Sequence, residues 1–363
     1  MDDSPRTNMR VLGASYGDPY DPRALSGAPK HLLDALETRV ASLSRIDYSD
    51  HGLRRAAIGA LTFRSDRDAW RTRYHGNRWG IALRTRSLMR RLKPLKFDIA
   101  LQVYGLLAQW QRPAVLYLDQ TSMMAQREWP AWLPGRDDRR RDSEQRFYNS
   151  LSHIFTMSER ARDSLINDYS LSAQDVTTVG GGGHFRVPPP TDWRLPSDAR
   201  ILFVGRDWRR KGGDVLLEAF REVRNRLPKC EMVVVGTRNV AVEEGVTVLG
   251  EVASRDELSK LYMRASLVCL PSRYEPYGFA AIEGMAHGVP CVVSTAIDDT
   301  IVDEHSGLRV PVGDASALAH ALLRILTDPV EAHRMSVAGL NKVENELNWD
   351  AVAARVVSGL EAI

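Results

Sequence analysis

The stretch Leu267-Val268-Cys269-Leu270-Pro271-Ser272-Arg273-Tyr274-Glu275-Pro276-Tyr277-Gly278-Phe279-Ala280-Ala281-Ile282-Glu283 contains a strand, a loop and the start of a helix. The first four residues form a short apolar run without alternation, the pattern of a strand buried on both faces. Pro271, Pro276 and Gly278 interrupt regular structure, and a helix is expected from about Gly278 to His287. The same punctuation recurs on both sides. Ile201–Val204, Met232–Val235, Val246–Leu249 and Cys291–Val293 read as further strands. Helices are expected near Gly213–Arg226, from Asp314 through Leu318, Leu322, Leu323 and Leu326, and after Ser254-Arg255-Asp256-Glu257. That tetrapeptide is a capping box, and it puts Leu258, Leu261, Tyr262 and Ala265 on one helical face. Non-alternating strands interleaved with helices predict a parallel sheet covered on both sides.

The run Val187-Pro188-Pro189-Pro190-Thr191-Asp192-Trp193-Arg194-Leu195-Pro196-Ser197 cannot continue a helix or a central strand and is read as the junction between domains. Before it the scheme repeats less clearly. Candidate strands are Val11–Ala14, Asp98–Val103, Val115–Leu118, Ile154–Met157 and Val176–Val179, with helices near Lys30–Val40 and Glu159–Asp168. The expected organisation is residues 1–192 as one Rossmann-like domain, 193–345 as a second, and 346–363 as a helix crossing back to the first. Ligands of such sheets bind at the carboxyl ends of the strands, so two facing mouths would make a cleft.

A chain of 363 residues suits two cores better than one. Its 44% hydrophobic and 26% charged residues are ordinary for a globular protein. The net charge of +3 is unevenly spread: Arg64–Lys96 holds eleven Arg/Lys against Asp66 and Asp68, a local +9. Such a field draws phosphates, acidic lipids or nucleic acid, and it also fits a plain solvated surface. Around Arg84–Lys93, Leu83, Leu88, Met89 and Leu92 alternate with Arg84, Arg86, Arg90 and Arg91, as on an amphipathic surface helix. No helix-turn-helix or RNA-recognition pattern accompanies the charge, so no nucleic-acid partner is expected. Cys230, Cys269 and Cys291 lack metal-like spacing and are expected as buried thiols in a reducing compartment. With no signal-peptide pattern and no long apolar run, the expected location is cytoplasmic, with peripheral contact at the inner membrane face left open.

Two loops carry the chemistry. Glu275 and Glu283 flank the helix mouth at Gly278, where backbone N–H groups and the helix dipole offer a seat for phosphate and carboxylates can accept from sugar diols. The second loop, Gly205-Arg206-Asp207-Trp208-Arg209-Arg210-Lys211-Gly212-Gly213, is neither a dinucleotide fingerprint nor a P-loop. It sets Arg206 and Lys211 at a strand's carboxyl end, a combination suited to a diphosphate. Each loop alone also fits an ordinary solvated turn.

Taken together and in this order, the Arg-x4-Lys-Gly loop, the Pro-Ser-x-x-Glu-Pro-x-Gly segment and the Glu-x7-Glu spacing resemble the retaining glycosyltransferases of family 4. The resemblance is detailed from about Arg200 to Pro329 and covers the first half in outline. It implies an α/β protein of GT-B type, with two Rossmann-like domains whose parallel sheets face a central cleft. It implies transfer of a sugar from a nucleotide-diphosphate sugar (UDP, GDP or dTDP) to a hydroxyl acceptor, which could be a small molecule, glycan or lipid. Arg206 and Lys211 would neutralise the diphosphate, Glu275 would touch the sugar, and Glu283 would hold the ribose. The backbone of Gly278, Phe279 and Ala280 would meet phosphate and sugar. In the first half, Ser26-Gly27-Ala28-Pro29 is similar to the family's first-domain glycine loop, with Ala28 where a second glycine is common. A simple capping loop fits Gly27 as well. Asp119, after Val115–Leu118, stands where relatives often carry a catalytic His or Asp, and it also reads as a turn residue. Gly180–Gly183 suggests backbone close to a ligand, His184 reads as structural, and Met123, Met124, Trp129 and Trp132 fit either an acceptor pocket or core. No Asp-x-Asp pair ends a strand; Asp137-Asp138 lies in a charge-rich loop. No metal or other cofactor is therefore expected. An epimerase of the same fold, or a non-catalytic subunit binding sugar nucleotides, are the rival readings. A phosphorylase would need a pyridoxal-phosphate lysine site, which the sequence lacks.

Overall fold

The computed structural model describes residues 7–65, 67–105, 107, 109–130, 138–184, 198–241 and 243–363. The proline-rich junction Val187–Ser197 and Trp132 lie outside them. The chain forms two compact units, Met1–Gly181 with Trp349–Ile363, and Gly182–Asn348.

The first unit runs β1 (Thr7–Ser15), α1 (Ala28–Glu37), β2 (Val40–Asp47), α2 (Gly52–Thr62), α3 (Arg67–Gly76), α4 (Arg78–Leu92), β3 (Ile99–Val103), β4 (Ala114–Leu118), α5 (Ser122–Glu128), α6 (Asp138–Tyr148), β5 (His153–Thr156), α7 (Glu159–Tyr169) and β6 (Val176–Thr178). Its six strands pair in parallel in the order β2-β1-β3-β4-β5-β6. The order reverses between β1 and β3, so the ligand-accepting crevice of such a sheet opens at the ends of those strands, beside Ser15 and Val103. Its core joins Leu12, Ala100, Leu116 and Ile154 of the sheet to Leu88, Leu92, Phe147 and Leu165 of the helices.

The second unit runs β7 (Arg200–Val204), α8 (Gly213–Arg226), β8 (Glu231–Val235), β9 (Val246–Gly250), α9 (Arg255–Met263), β10 (Leu267–Leu270), α10 (Phe279–Ala286), β11 (Cys291–Ser294), β12 (Gly307–Val310), α11 (Ala315–Thr327) and α12 (Pro329–Asn345). Its strands, also all parallel, order as β12-β11-β10-β7-β8-β9, reversing between β7 and β10. Phe203, Leu216, Phe220, Val234, Cys269, Leu318 and Leu322 form its core. Truncating one such side chain to alanine typically costs about 2–5 kcal/mol. The last helix, α13 (Trp349–Glu361), returns to the first unit and packs along α1.

Local sequence explains most element ends. Ser254 Oγ accepts from the Glu257 N–H at 3.3 Å and opens α9, and Asp314 accepts from Ala317 at 2.8 Å to open α11. The three cysteines are buried and free. Two readings need correction. The helix expected to reach Val40 ends at Glu37, and Val40 begins β2. The residues around Arg84–Lys93 form a helix, but not one whose apolar side is free: Leu88 and Leu92 are core residues. Arg84 is itself buried, its Nε donating to Asp50 at 2.6 Å. A buried charge of this kind persists only when paired, and Tyr74 Oη completes the cluster by donating to Asp50 at 2.9 Å. The solvent side of α4 carries Trp79, Leu83, Arg86 and Arg90. Among the described residues no helix is long and apolar enough to cross a membrane.

Candidate active site

The switch point of the second sheet brings the two motif loops together. The loop after β7 and the loop after β10 leave adjacent strands, and side chains staple them. Arg273 N–H donates to Arg210 O at 2.8 Å, and its guanidinium grips Asp214 at 2.5 and 2.8 Å and Arg209 O at 2.7 Å. Arg210 in turn donates to Tyr274 O at 2.8 Å. Gly212, with φ +71, is where the loops touch: a Cβ there would lie 1.9 Å from Pro271 O. Only glycine satisfies both the left-handed backbone and that approach. Gly278, with φ +119, opens α10 in the same way, and neither α8 nor α10 has a side-chain cap. Two helix N-termini thus end at one switch point, a natural anion seat.

Lys211 Nζ donates to Glu275 Oε2, and Arg210 stands 3.7 Å from the same oxygen. Glu275 is only 7% exposed. Burial pushes its carboxyl up, but the Lys211 and Arg210 charges, the Lys211 hydrogen bond and the Tyr277 N–H hold it below the usual carboxylate range. Glu275 is therefore ionised at neutral pH. An ammonium has three N–H donors, so Lys211 keeps two beyond its bond to Glu275. A cation about 4 Å from a phosphate charge is worth about 4 kcal/mol at an effective dielectric of about 20.

Glu283 is equally buried, on α10. Its Oε2 accepts from Tyr262 Oη at 2.9 Å, and Arg255 lies 3.7 Å from Oε1. Burial wins here: the carboxyl is pushed up to about 6 despite Tyr262, Arg255 and Lys211. The surroundings thus drive the two carboxylates of the motif in opposite directions. Phe279, the first residue of α10, packs on His184 with ring centroids 4.6 Å apart, and Gly183 N–H donates to Leu347 O at 2.8 Å.

The structure gathers Lys211, Glu275, Gly278, Phe279, Ala280 and Glu283 around one switch point. Arg206 is in the same loop but points outward, 83% exposed and paired to Glu251 at 2.9 Å. Sequence reasoning passed over Arg210, Arg273, Arg255 and the tyrosine behind Glu283. For Tyr262 a signal existed: a tyrosine on a buried helix face needs a partner for its hydroxyl. In the first unit, Gly27 precedes α1 with φ +82, and Leu25 and Ser26 before it also take left-handed backbone. For Leu25 and Ser26, which carry a Cβ, such conformations cost about 1–3 kcal/mol each and concentrate at functional sites. Asp119 is half-buried directly after β4. Met124 is buried, Met123 packs against the core, and Trp129 is half-buried at the end of α5. Gly180 accepts from Tyr117 Oη at 2.8 Å.

Two parallel six-stranded α/β units define a fold of the GT-B glycosyltransferase type. Residues 198–328 match the family described as Glycosyl transferases group 1, so the second unit carries a domain of that family. The chain is 25% identical over 214 residues to glycogen synthase of Mycobacterium tuberculosis, covering 55% of this chain and 51% of that protein. It thus spans about half the length of the curated relatives it matches. Among solved structures, sucrose-phosphate synthase from Thermosynechococcus elongatus has the same fold, with TM-score 0.72, 20% identity and coverage of 98% and 99% of the two chains. Anabaena HepE, solved in complex with UDP and glucose, matches at TM-score 0.69 and 13% identity over 98% of this chain and 100% of its own.

Proposed function

We propose that this protein transfers a sugar from a nucleotide-diphosphate sugar to a hydroxyl acceptor, with retention of anomeric configuration and without a metal ion. The observation that carries the reading is the Lys211–Glu275 pair beside the uncapped start of α10. In this reaction the bond from the anomeric carbon to the diphosphate oxygen breaks, and a bond to the acceptor oxygen forms on the same face. The acceptor proton passes to the departing phosphate. Lys211, Arg206 and the N–H groups at Gly278–Ala280 stabilise the charge that grows on the diphosphate, where preorganised donors act most strongly. Glu275 contacts the sugar as it gains positive charge, and Glu283 holds the ribose. Because these cations and helix termini meet the leaving charge, transfer persists in excess EDTA.

The experiment is a donor screen by thermal shift across UDP-, GDP- and dTDP-sugars, since a ligand that binds only the folded state raises its melting temperature. One nucleotide class is expected to stabilise the protein, with product formed under EDTA. No stabilisation by any donor contradicts the reading, and so does activity abolished by EDTA and restored by Mn²⁺. The solvent face of α4, with Trp79 and Leu83 beside Arg86 and Arg90, supports an anionic surface as the partner of residues 64–96. Co-sedimentation with acidic but not neutral vesicles at low salt is the expected result, and equal behaviour with both contradicts it.

A further inference from the structure

Glu283 does not stand alone. Behind it, α9 and the end of α10 form a second layer. His287 Nδ1 lies 2.6 Å from Glu283 O, and since a carbonyl only accepts, that nitrogen carries the proton. His287 Nε2 lies 2.8 Å from Ser259 Oγ and therefore accepts from the hydroxyl. Burial lowers the His287 pKa, which keeps the ring neutral and this tautomer in place. The imidazole stacks on the Tyr262 ring, centroids 5.0 Å apart and planes 18° from parallel. Tyr262 is fully buried and its hydroxyl reaches Glu283 Oε2 at 2.9 Å.

We propose that Tyr262 is a positioning residue: stacked on His287, which Ser259 holds in turn, its hydroxyl fixes one oxygen of Glu283 so that the carboxylate presents its remaining lone pairs to the nucleotide ribose. This rests on the ribose-holding role assigned to Glu283 above. A carboxylate offers about four acceptor positions over two oxygens. Tyr262 takes one, and the others are left for a diol and for Arg255 at the rim. A rigidly held acceptor loses less entropy on binding than one that must first be ordered.

The hydroxyl also favours the ionised form of Glu283. The groups that bear on this carboxyl are Tyr262 and Arg255 from α9 and Lys211 from the loop after β7. His287 follows on its own helix, and the Cys269 and Cys291 thiols lie in the strands beneath, both with pKa values pushed up by burial. Glu283 is placed to titrate near pH 6, and burial holds the His287 ring below its usual range. Nucleotide affinity is therefore expected to be full above that pH and to fall as the pH drops through it. Removing the Tyr262 hydroxyl leaves burial less opposed and moves that fall to higher pH.

The test is calorimetric titration of UDP and GDP into the wild type and Tyr262→Phe from pH 5.5 to 8.5. The variant is expected to bind the selected nucleotide about tenfold more weakly at pH 6.5, a loss of the size expected for a hydrogen bond to a charged acceptor. It should recover part of that loss at pH 8.5, where the carboxylate is ionised in both proteins and only the orienting contact is missing. No loss, or a loss no larger at pH 6.5 than at pH 8.5, overturns the action of the Tyr262 hydroxyl on the Glu283 carboxylate while leaving nucleotide binding intact. Binding of neither nucleotide by the wild type overturns the reading beneath it. If Tyr262→Phe does not fold, His287→Gln, which keeps the hydroxyl and removes its clamp, takes its place with the same upward shift expected.

Discussion

The two units are built on one plan, yet they place charge differently. In the second, cations and carboxylates lie in the loops at the switch point, where they bind one another across two chain segments: Lys211 with Glu275, Arg273 with Asp214. In the first, the best-buried ion pair, Arg84 with Asp50, joins α4 to the segment after β2, with Tyr74 closing it. The corresponding switch-point strand β3 is followed by Tyr104 and Gly105, whose carbonyls accept from the Gln102 amide. The first unit's buried pair ties a helix to a loop, whereas the second unit's pairs join the two loops that the proposed reading makes an anion site. Stability and catalysis should therefore separate between the units.

The largest expected effect belongs to the first unit. Asp50→Ala leaves Arg84 buried without its carboxylate, at a cost of about 3–5 kcal/mol. Denaturant unfolding should show that loss, while folded protein retains nucleotide binding. Lost binding with unchanged stability would reverse the assignment. Next comes Lys211→Met in the second unit. On the proposed reading it removes a donor to the leaving diphosphate, and kcat/KM should fall about 10²- to 10³-fold. A change below threefold would show that Lys211 serves only Glu275. The smallest effect is at Arg206, whose pair with Glu251 is solvent-exposed. Such pairs contribute about 0–1 kcal/mol to stability, so Arg206→Ala should leave the melting temperature unchanged. It should raise the donor KM roughly tenfold if the side chain turns to the diphosphate, and an unaltered KM removes it from the site.

The same contrast explains what the sequence disclosed. Central strands such as Ile201–Val204 and Leu267–Leu270 are apolar throughout and therefore visible. Of the four edge strands, β6 and β9 were visible, and β2 and β12 were missed because polar residues break their apolar runs: Ser42, Ser44 and Arg45 interrupt β2, and Arg309 interrupts β12. The second unit's site was legible because its glycines, prolines and carboxylates are close in sequence and each is dictated by local backbone or charge. Tyr262 and Arg255 join it only through packing of α9 on α10, across 21 and 28 positions of chain, which no local pattern records. In the first unit the buried Arg84 looked like a surface cation, since a partner 34 residues away is invisible in a helical pattern.

The central claim is that two equally buried glutamates of one motif do different work, and their kinetics test it directly. On the proposed reading Glu283 would hold a part of the donor that does not change in the reaction, so its contribution would be the same in ground and transition states. Glu275 would contact the sugar as positive charge develops, so its contribution would grow on the way to the transition state. Glu283→Gln should mainly raise the donor KM and Glu275→Gln should mainly lower kcat, each by roughly ten- to a hundredfold. Unchanged kinetics in both folded variants, or the reverse division between KM and kcat, would contradict the account.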